Sequence, residues 1–331
     1  MKNWNLRLCT GLCALALIVA GCGDDEEPAA APSGANGASS DEAATKKVKI
    51  GFIPKSSESA FWLASQEGAK AAAESDPNIE LMVDAASSES AVEDQIAIVE
   101  NMLTQGIDAL AIAPSAPDQL LPVLQKAIDD GVPVVVVDSD IPDLTGKTAF
   151  VGTNNEVAGT AGGEYFKTAL PDGGKIGIVD GTAGIQSLID RINGFKKGIE
   201  GASIDIAQTV RAEGCTRDNG VTAVEDLITA NKDLDGIFLA CGEPAVGGLR
   251  AVEGAGLKPD DLVYVGFDAT EDEITAIEAG EEDGSVAQFP ANMGEQSVKA
   301  AAAAARGGKV EKVIDTGSEV VTKDNVAKFK K

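Results

Sequence analysis

Two apolar runs in this chain end in carboxylates. Residues 134–137, four valines, lead into Asp138-Ser139-Asp140, and residues 263–267 lead into Asp268. A carboxylate accepts strong, directional hydrogen bonds, so two such acids facing one cleft suit a ligand rich in hydroxyls. The competing reading is that each Asp simply starts a loop, a common use of the residue. A third feature has the same setting. After the run 48–53 comes the polar stretch Lys55-Ser56-Ser57-Glu58-Ser59-Ala60, and then Phe61-Trp62 opens a helix. Aromatic residues are only 4% of the chain, so two side by side at a strand end suggest a stacking platform for the CH face of a sugar ring. Core packing is the alternative for one of the two.

The elements that would hold these residues follow from periodicity. Apolar runs at 48–53, 81–84, 109–113 and 134–137 read as buried strands. Between them, residues 91–105 place Val92, Ile96, Val99 and Leu103 at helical spacing, and 119–130 is a helix stopped by Gly131-Val132-Pro133. The rhythm repeats with strands at 175–179, 204–209, 236–240 and 263–267. Helices fall between them at 187–200, with Leu188, Ile192, Phe195 and Ile199 on one face, and at 219–231. Strand and helix alternating through two series predict an α/β protein of two similar, doubly wound parallel-sheet lobes. Ligands of such sheets bind beyond the carboxyl ends of the strands, where Asp138, Asp268 and Phe61-Trp62 stand.

Composition closes off several chemistries. The chain of 331 residues has no histidine, which removes His general bases, Ser-His-Asp triads and His metal ligands. Acids outnumber bases 53 to 27, a charge that repels nucleic acid and anionic lipid. No phosphate-binding glycine fingerprint follows any predicted strand, so no nucleotide cofactor is expected, and no metal. Residues 231–236 imitate the start of a calcium loop, but Gly242 stands where a Glu is needed, and the stretch reads as a helix-to-strand turn.

The first 21 residues carry Lys2 and Arg7 ahead of an apolar run from Leu8 to Ala20, the layout of a secretory signal. Val19-Ala20-Gly21-Cys22 resembles the lipobox of bacterial lipoproteins, which implies Cys22 as a lipidated first residue. Residues 22–46, acidic and then rich in Ala, Pro, Ser and Gly, are expected to be a disordered tether. Of the other cysteines, Cys9 and Cys13 leave with the signal. Cys215 and Cys241 remain, either as a disulfide that an exported compartment permits or as two inert thiols.

Ile53-Pro54-Lys55 with Phe61-Trp62 and Gly68-Ala69, Asp138-Ser139, Arg191-Ile192-Asn193-Gly194-Phe195, Val265-Gly266-Phe267-Asp268 and Ala287-Gln288-Phe289-Pro290 occur in that order. Together they resemble the periplasmic sugar-binding proteins of the ribose-binding type, from about Lys47 to the C-terminus. The resemblance implies the type 1 periplasmic binding fold, with a three-crossing hinge that closes two lobes over one ligand. It assigns residues 47–153 and 289–317 to an N-terminal lobe, and 154–288 and 318–331 to a C-terminal lobe. It also implies that Phe61 and Trp62 sandwich the sugar ring, while Asp138, Arg191, Asp268 and Gln288 take its hydroxyls.

Four positions depart from the ribose pattern: Ala113 and Cys241 replace Asn, Ser139 replaces Arg, and Cys215 replaces an aromatic residue. Cys215 and Cys241 thus fall at ligand-facing positions, and the changes point away from ribose itself. Lys55 adds a donor that favours a ligand with an anionic or carbonyl group. The expected protein is a monomeric, lipid-anchored solute-binding component of an ABC importer, delivering a small sugar or polyol to a membrane permease. A ligand-sensing lipoprotein that reports to a membrane receptor is the alternative. A glycosidase using Asp138 and Asp268 is disfavoured, because two mobile lobes position catalytic groups poorly.

Overall fold

Val134–Val137 is β-branched throughout and fully buried, because both faces of its strand are covered. Val135 and Val137 pack with Trp62, Met293 and Val298 on one side. Val134 and Val136 pack with Val99, Leu120 and Leu124 on the other. Gly236–Leu239 repeats the pattern, with Phe238 on one face and Ile237 and Leu239 on the other. The computed structural model describes residues 46–258 and 261–330. The signal segment, Cys22 and the tether as far as residue 45 lie outside the described residues.

Twelve strands form two six-stranded sheets among the described residues. In chain order they are β1 (Val48–Ile53), β2 (Ile79–Val83), β3 (Ala109–Ile112), β4 (Val134–Val137), β5 (Ala149–Gly152) and β6 (Gly174–Asp180). They continue with β7 (Ile204–Arg211), β8 (Gly236–Leu239), β9 (Val263–Asp268), β10 (Gly284–Ala287), β11 (Val313–Asp315) and β12 (Glu319–Thr322). The helices are α1 (Ala60–Ser75), α2 (Val92–Thr104), α3 (Pro117–Asp129), α4 (Asn155–Ala169) and α5 (Gln186–Gly198). After these come α6 (Arg217–Ala230), α7 (Gly242–Gly254), α8 (Glu271–Ala279) and α9 (Pro290–Ala305).

The first sheet has the order β11-β5-β4-β3-β1-β2 and is parallel throughout. The second has the order β12-β10-β9-β8-β6-β7 and repeats the first, except that β12 runs antiparallel to β10. This departs from the all-parallel expectation for a geometric reason. β11 ends at the carboxyl edge of its sheet, and only Thr316-Gly317-Ser318 separate it from β12. A strand that enters the second sheet from the carboxyl edge necessarily runs against its neighbours. The chain also passes between the sheets from β5 to α4 and from β10 to α9.

Helices are paired tightly enough that side chains are excluded from the contact. A Cβ on Gly194 of α5 would lie 2.1 Å from the carbonyl oxygen of Glu156 on α4, and a Cβ on Gly159 of α4 would lie 2.0 Å from that of Arg191. Backbone thus meets backbone, and Arg191 is fixed against the helix that follows the first crossing. In an exposed helix, Gly→Ala stabilises by up to about 1 kcal/mol. Here the sign reverses. Gly194→Ala is expected to lose about 1–3 kcal/mol through overpacking, whereas Gly254→Ala at the open end of α7, where a Cβ meets nothing within 4 Å, should gain a fraction of that. Urea midpoints of the two variants check the pair, and equal shifts would contradict the close packing.

Candidate ligand-binding site

In each sheet the strand order reverses direction beside the first strand of its series, between β1 and β3 and between β6 and β8. Loops leaving neighbouring strands there go to opposite faces and open a crevice. The carboxyl ends of both sheets share one cavity of about 540 Å³, a size suited to a small solute. The first sheet contributes Lys55 after β1, Glu89 after β2, Ser115 after β3 and Asp138 after β4. The second contributes Ile185 and Leu188 after β6, Cys215 after β7, Cys241 after β8, Asp268 at the end of β9 and Gln288 after β10.

Both strand-end acids adopt left-handed backbone, Asp138 at φ 65° and Asp268 at φ 89°. Such conformations are costly for residues with a Cβ and persist only where the surroundings enforce them. Turning the backbone at Asp138, just past β4, and at Asp268, the last residue of β9, aims each carboxylate across the strand ends. The Asp268 carboxylate accepts hydrogen bonds from Gln288 Nε2 at 2.6 Å and from the Gly242 backbone N–H at 3.1 Å, at the start of α7. Arg191 Nη1 lies 3.5 Å away. Burial pushes the Asp268 carboxyl above the usual carboxylate range, against the pull of Arg191 and Gln288. Arg191 is itself clamped, donating to Asn155 Oδ1 and to the Ala240 carbonyl, each at 2.8 Å, with its guanidinium 3.8 Å above the Phe267 ring. Two buried polar atoms on the cavity wall, Gln288 Oε1 and Ser115 Oγ, have no hydrogen-bond partner among the described residues.

Phe61 and Trp62 both line the cavity and form an edge-to-face pair with centroids 4.8 Å apart. Trp62 is also part of the core, 3% exposed, and its indole Nε1 donates to Glu89 Oε1 at 2.7 Å. Lys55 Nζ makes a 2.7 Å ion pair with Asp138, and it lies 5.4 Å from the Trp62 ring centroid. Burial opposes its charge, but Asp138 and Glu89 outweigh burial and raise its pKa. The expectation that Lys55 favours an anionic ligand is therefore corrected, because its charge is already matched by carboxylates. Ser139 is likewise corrected as a lining residue. It is fully buried and absent from the cavity wall, and its hydroxyl accepts a 3.3 Å hydrogen bond from the Ser187 backbone N–H in the first turn of α5. A disulfide joins Cys215 to Cys241 and forms part of the wall.

Glu89 and Asn155 went unread in the sequence. Glu89 lies in the polar run Ser87-Ser88-Glu89-Ser90 beyond the carboxyl end of β2, so the strand-end rule that selected Asp138 also reaches it. Asn155 left no such signal, since its role depends on the packing of α4 against α5.

Beneath Asp268 lies a second carboxyl group of unusual setting. Glu273 is fully buried, accepting from the Thr270 N–H and the Ser285 hydroxyl at 2.8 Å each, while Glu282 accepts from the Gly266 N–H at 3.1 Å. Both carboxylates converge on Gly266, where a Cβ would lie 2.3 Å from Glu273 Oε1 and 2.6 Å from Glu282 Oε1. Burial first, and the nearby Asp268 charge second, push Glu273 up to about 8. A carboxyl raised on folding stabilises fully below its ordinary pKa, and that contribution is lost as pH rises through the folded value. Glu273→Gln keeps an acceptor oxygen and stays neutral. The variant should lose less stability than the parent between pH 5 and pH 8, as read from melting temperatures across that range. Parallel profiles would show that Glu273 is ionised throughout.

A family model described as the periplasmic binding protein domain matches residues 50–309. The chain is 30% identical over 291 residues to the D-ribose/D-allose-binding protein of Pseudomonas aeruginosa, covering 84% of this chain and 89% of that one. Among solved structures it is similar to an ABC transporter solute binding protein from Agrobacterium vitis with bound D-fucose, at 34% identity and a TM-score of 0.79, covering 85% of this chain and 97% of the other. It is also similar to one from Bacillus halodurans with bound myo-inositol, at 27% identity and a TM-score of 0.79, covering 86% and 98%. Two doubly wound sheets meeting at their carboxyl ends over one polar cavity agree with these likenesses, and the chain belongs to the periplasmic binding proteins of the ribose-binding type.

Proposed function

We propose that the protein captures a small sugar or related polyol in this cavity and delivers it to the permease of an ABC importer. The observation that carries the reading is the pair of left-handed strand-end acids, Asp138 and Asp268, on one cavity that also holds two unsatisfied buried acceptors. Hydroxyl groups donate to such acceptors, and the Phe61-Trp62 edge offers an apolar surface to a ring. The relatives with bound D-fucose and myo-inositol support the same class of ligand. Every strand-end acid is engaged with cations, amides or N–H groups of the protein, an arrangement made for holding a ligand, and we read the chain as a binder without catalytic activity.

The lobes in this reading are residues 47–153 with 289–317 and residues 154–288 with 318–331, and closure turns about the three passages between the sheets. The protein acts as a monomer in this reading. Cys22 would carry lipid and hold the body at the outer face of a membrane, consistent with the Val19-Ala20-Gly21-Cys22 pattern and the family's place in the cell envelope.

A thermal-shift screen of pentoses, hexoses and cyclitols is expected to give at least one strong stabiliser. Asp268→Ala should weaken binding of that compound about 10–100-fold, the usual worth of a hydrogen bond to a charged group. If no sugar or polyol shifts the melting temperature, the transport reading fails; unchanged affinity in the variant would remove Asp268 from the site. Anchoring has its own measurement. Cys22→Ser should move the exported protein from the detergent phase to the aqueous phase on Triton X-114 partition, and a variant that stays with detergent would refute lipidation at Cys22.

A further inference from the structure

The charges around the cavity do not balance. Lys55 is committed to Asp138 at 2.7 Å and Arg191 faces Asp268 at 3.5 Å, and these are the cations on the wall. Glu89 is a third acid on the same wall; it feels the Lys55 charge, which Asp138 already engages, and forms no close ion pair among the described residues. Its Oε1 accepts from Trp62 at 2.7 Å, and its Oε2 makes no hydrogen bond to the described residues. At the rim, Asp118 and Glu213 add negative charge and take part in no ion pair among the described residues. The acidic excess extends from the mouth to the floor.

A third carboxylate in a confined space is unfavourable unless a positive charge joins it. Burial accordingly pushes the Glu89 carboxyl up, with the Lys55 charge only partly offsetting it. A neutral polyol supplies donors for Gln288 Oε1 and Ser115 Oγ but leaves the excess uncompensated. An anionic sugar worsens it. A ligand carrying both hydroxyls and one ammonium group satisfies both conditions, its ammonium meeting Glu89 while its hydroxyls engage Asp138, Asp268 and Gln288.

We propose that the cavity selects an aminated sugar or aminocyclitol over its neutral parent, and that Glu89 is the residue that reads the ammonium group. This rests on the sugar-binding reading above and names its ligand class more narrowly. Trp62 takes part by holding one oxygen of the carboxylate, which leaves the other to the ligand.

The test is isothermal titration of the intact mature protein, freed of co-purifying ligand, with glucosamine, galactosamine, mannosamine and an amino-inositol, each beside its neutral parent. The expected result is that at least one amine binds 10-fold or more tighter than its parent. Glu89→Gln, which keeps an oxygen for Trp62 Nε1, should abolish that preference, so that amine and parent bind the variant within about threefold of each other. Parents that bind as tightly as the amines, or a preference that survives in Glu89→Gln, overturn this inference while the sugar reading stands. Failure of every compound to bind overturns both.

Discussion

Carboxylates gathered around a single cavity set the terms for the rest of this molecule. Each acid brought out of bulk water needs a cation, an N–H group or a proton, and the structure supplies a different one at each position. Asp138 has Lys55, Asp268 has Gln288, the first N–H of α7 and the more distant Arg191, and Glu89 has the Trp62 indole. Those partners are in turn fixed by packing. Arg191 is held by Asn155 and the Ala240 carbonyl, and Trp62 by the core beneath the first sheet. The polar site therefore inherits its geometry from the apolar layers on which it sits, and the glycine-lined contact of α4 with α5 belongs to the site as much as to the fold.

The repeat of the two lobes is physical as well as topological. Each series carries an aspartate with left-handed backbone at its fourth strand, Asp138 just past β4 and Asp268 at the end of β9, so each sheet presents an acid toward the other. The symmetry then breaks in the supporting chemistry. Asp138 is balanced by one lysine from the end of β1, on the far side of β3. Asp268 stands above the buried pair Glu273 and Glu282, whose carboxyl groups burial pushes above the usual carboxylate range, which disfavours further negative charge beneath it. The two walls thus place similar groups at the cavity by unlike means, which permits one to be altered by mutation without a matching change in the other.

Much of this was readable from residue order. The valine run at 134–137 and the strand at 48–53 have the bounds that periodicity assigns, since β-branched residues buried on both faces leave a continuous signal. The strand-end rule placed Asp138, Asp268, Phe61 and Trp62 at the cavity. It missed Glu89 because the edge strand β2 is only partly buried and drew attention to its apolar residues instead. Short, late elements such as β11 and β12 carry too few residues for a pattern, and the reversed direction of β12 follows from the route of the chain between sheets rather than from its own composition. Ser139 was misplaced for a related reason. Position after a strand says that a residue is near the cavity, but not which way its side chain turns.

That hydroxyl has a consequence of its own. Ser139 follows a strand of one sheet, yet its oxygen caps an amide in the first turn of a helix that packs on the other. Any movement that parts the carboxyl edges of the sheets breaks this bond and returns the Ser187 N–H to solvent. Helix termini fray when their early amides lose an acceptor. The separation of two rigid bodies is thereby linked to the local order of one helical turn, so the start of α5 acts as a built-in gauge of the distance between them.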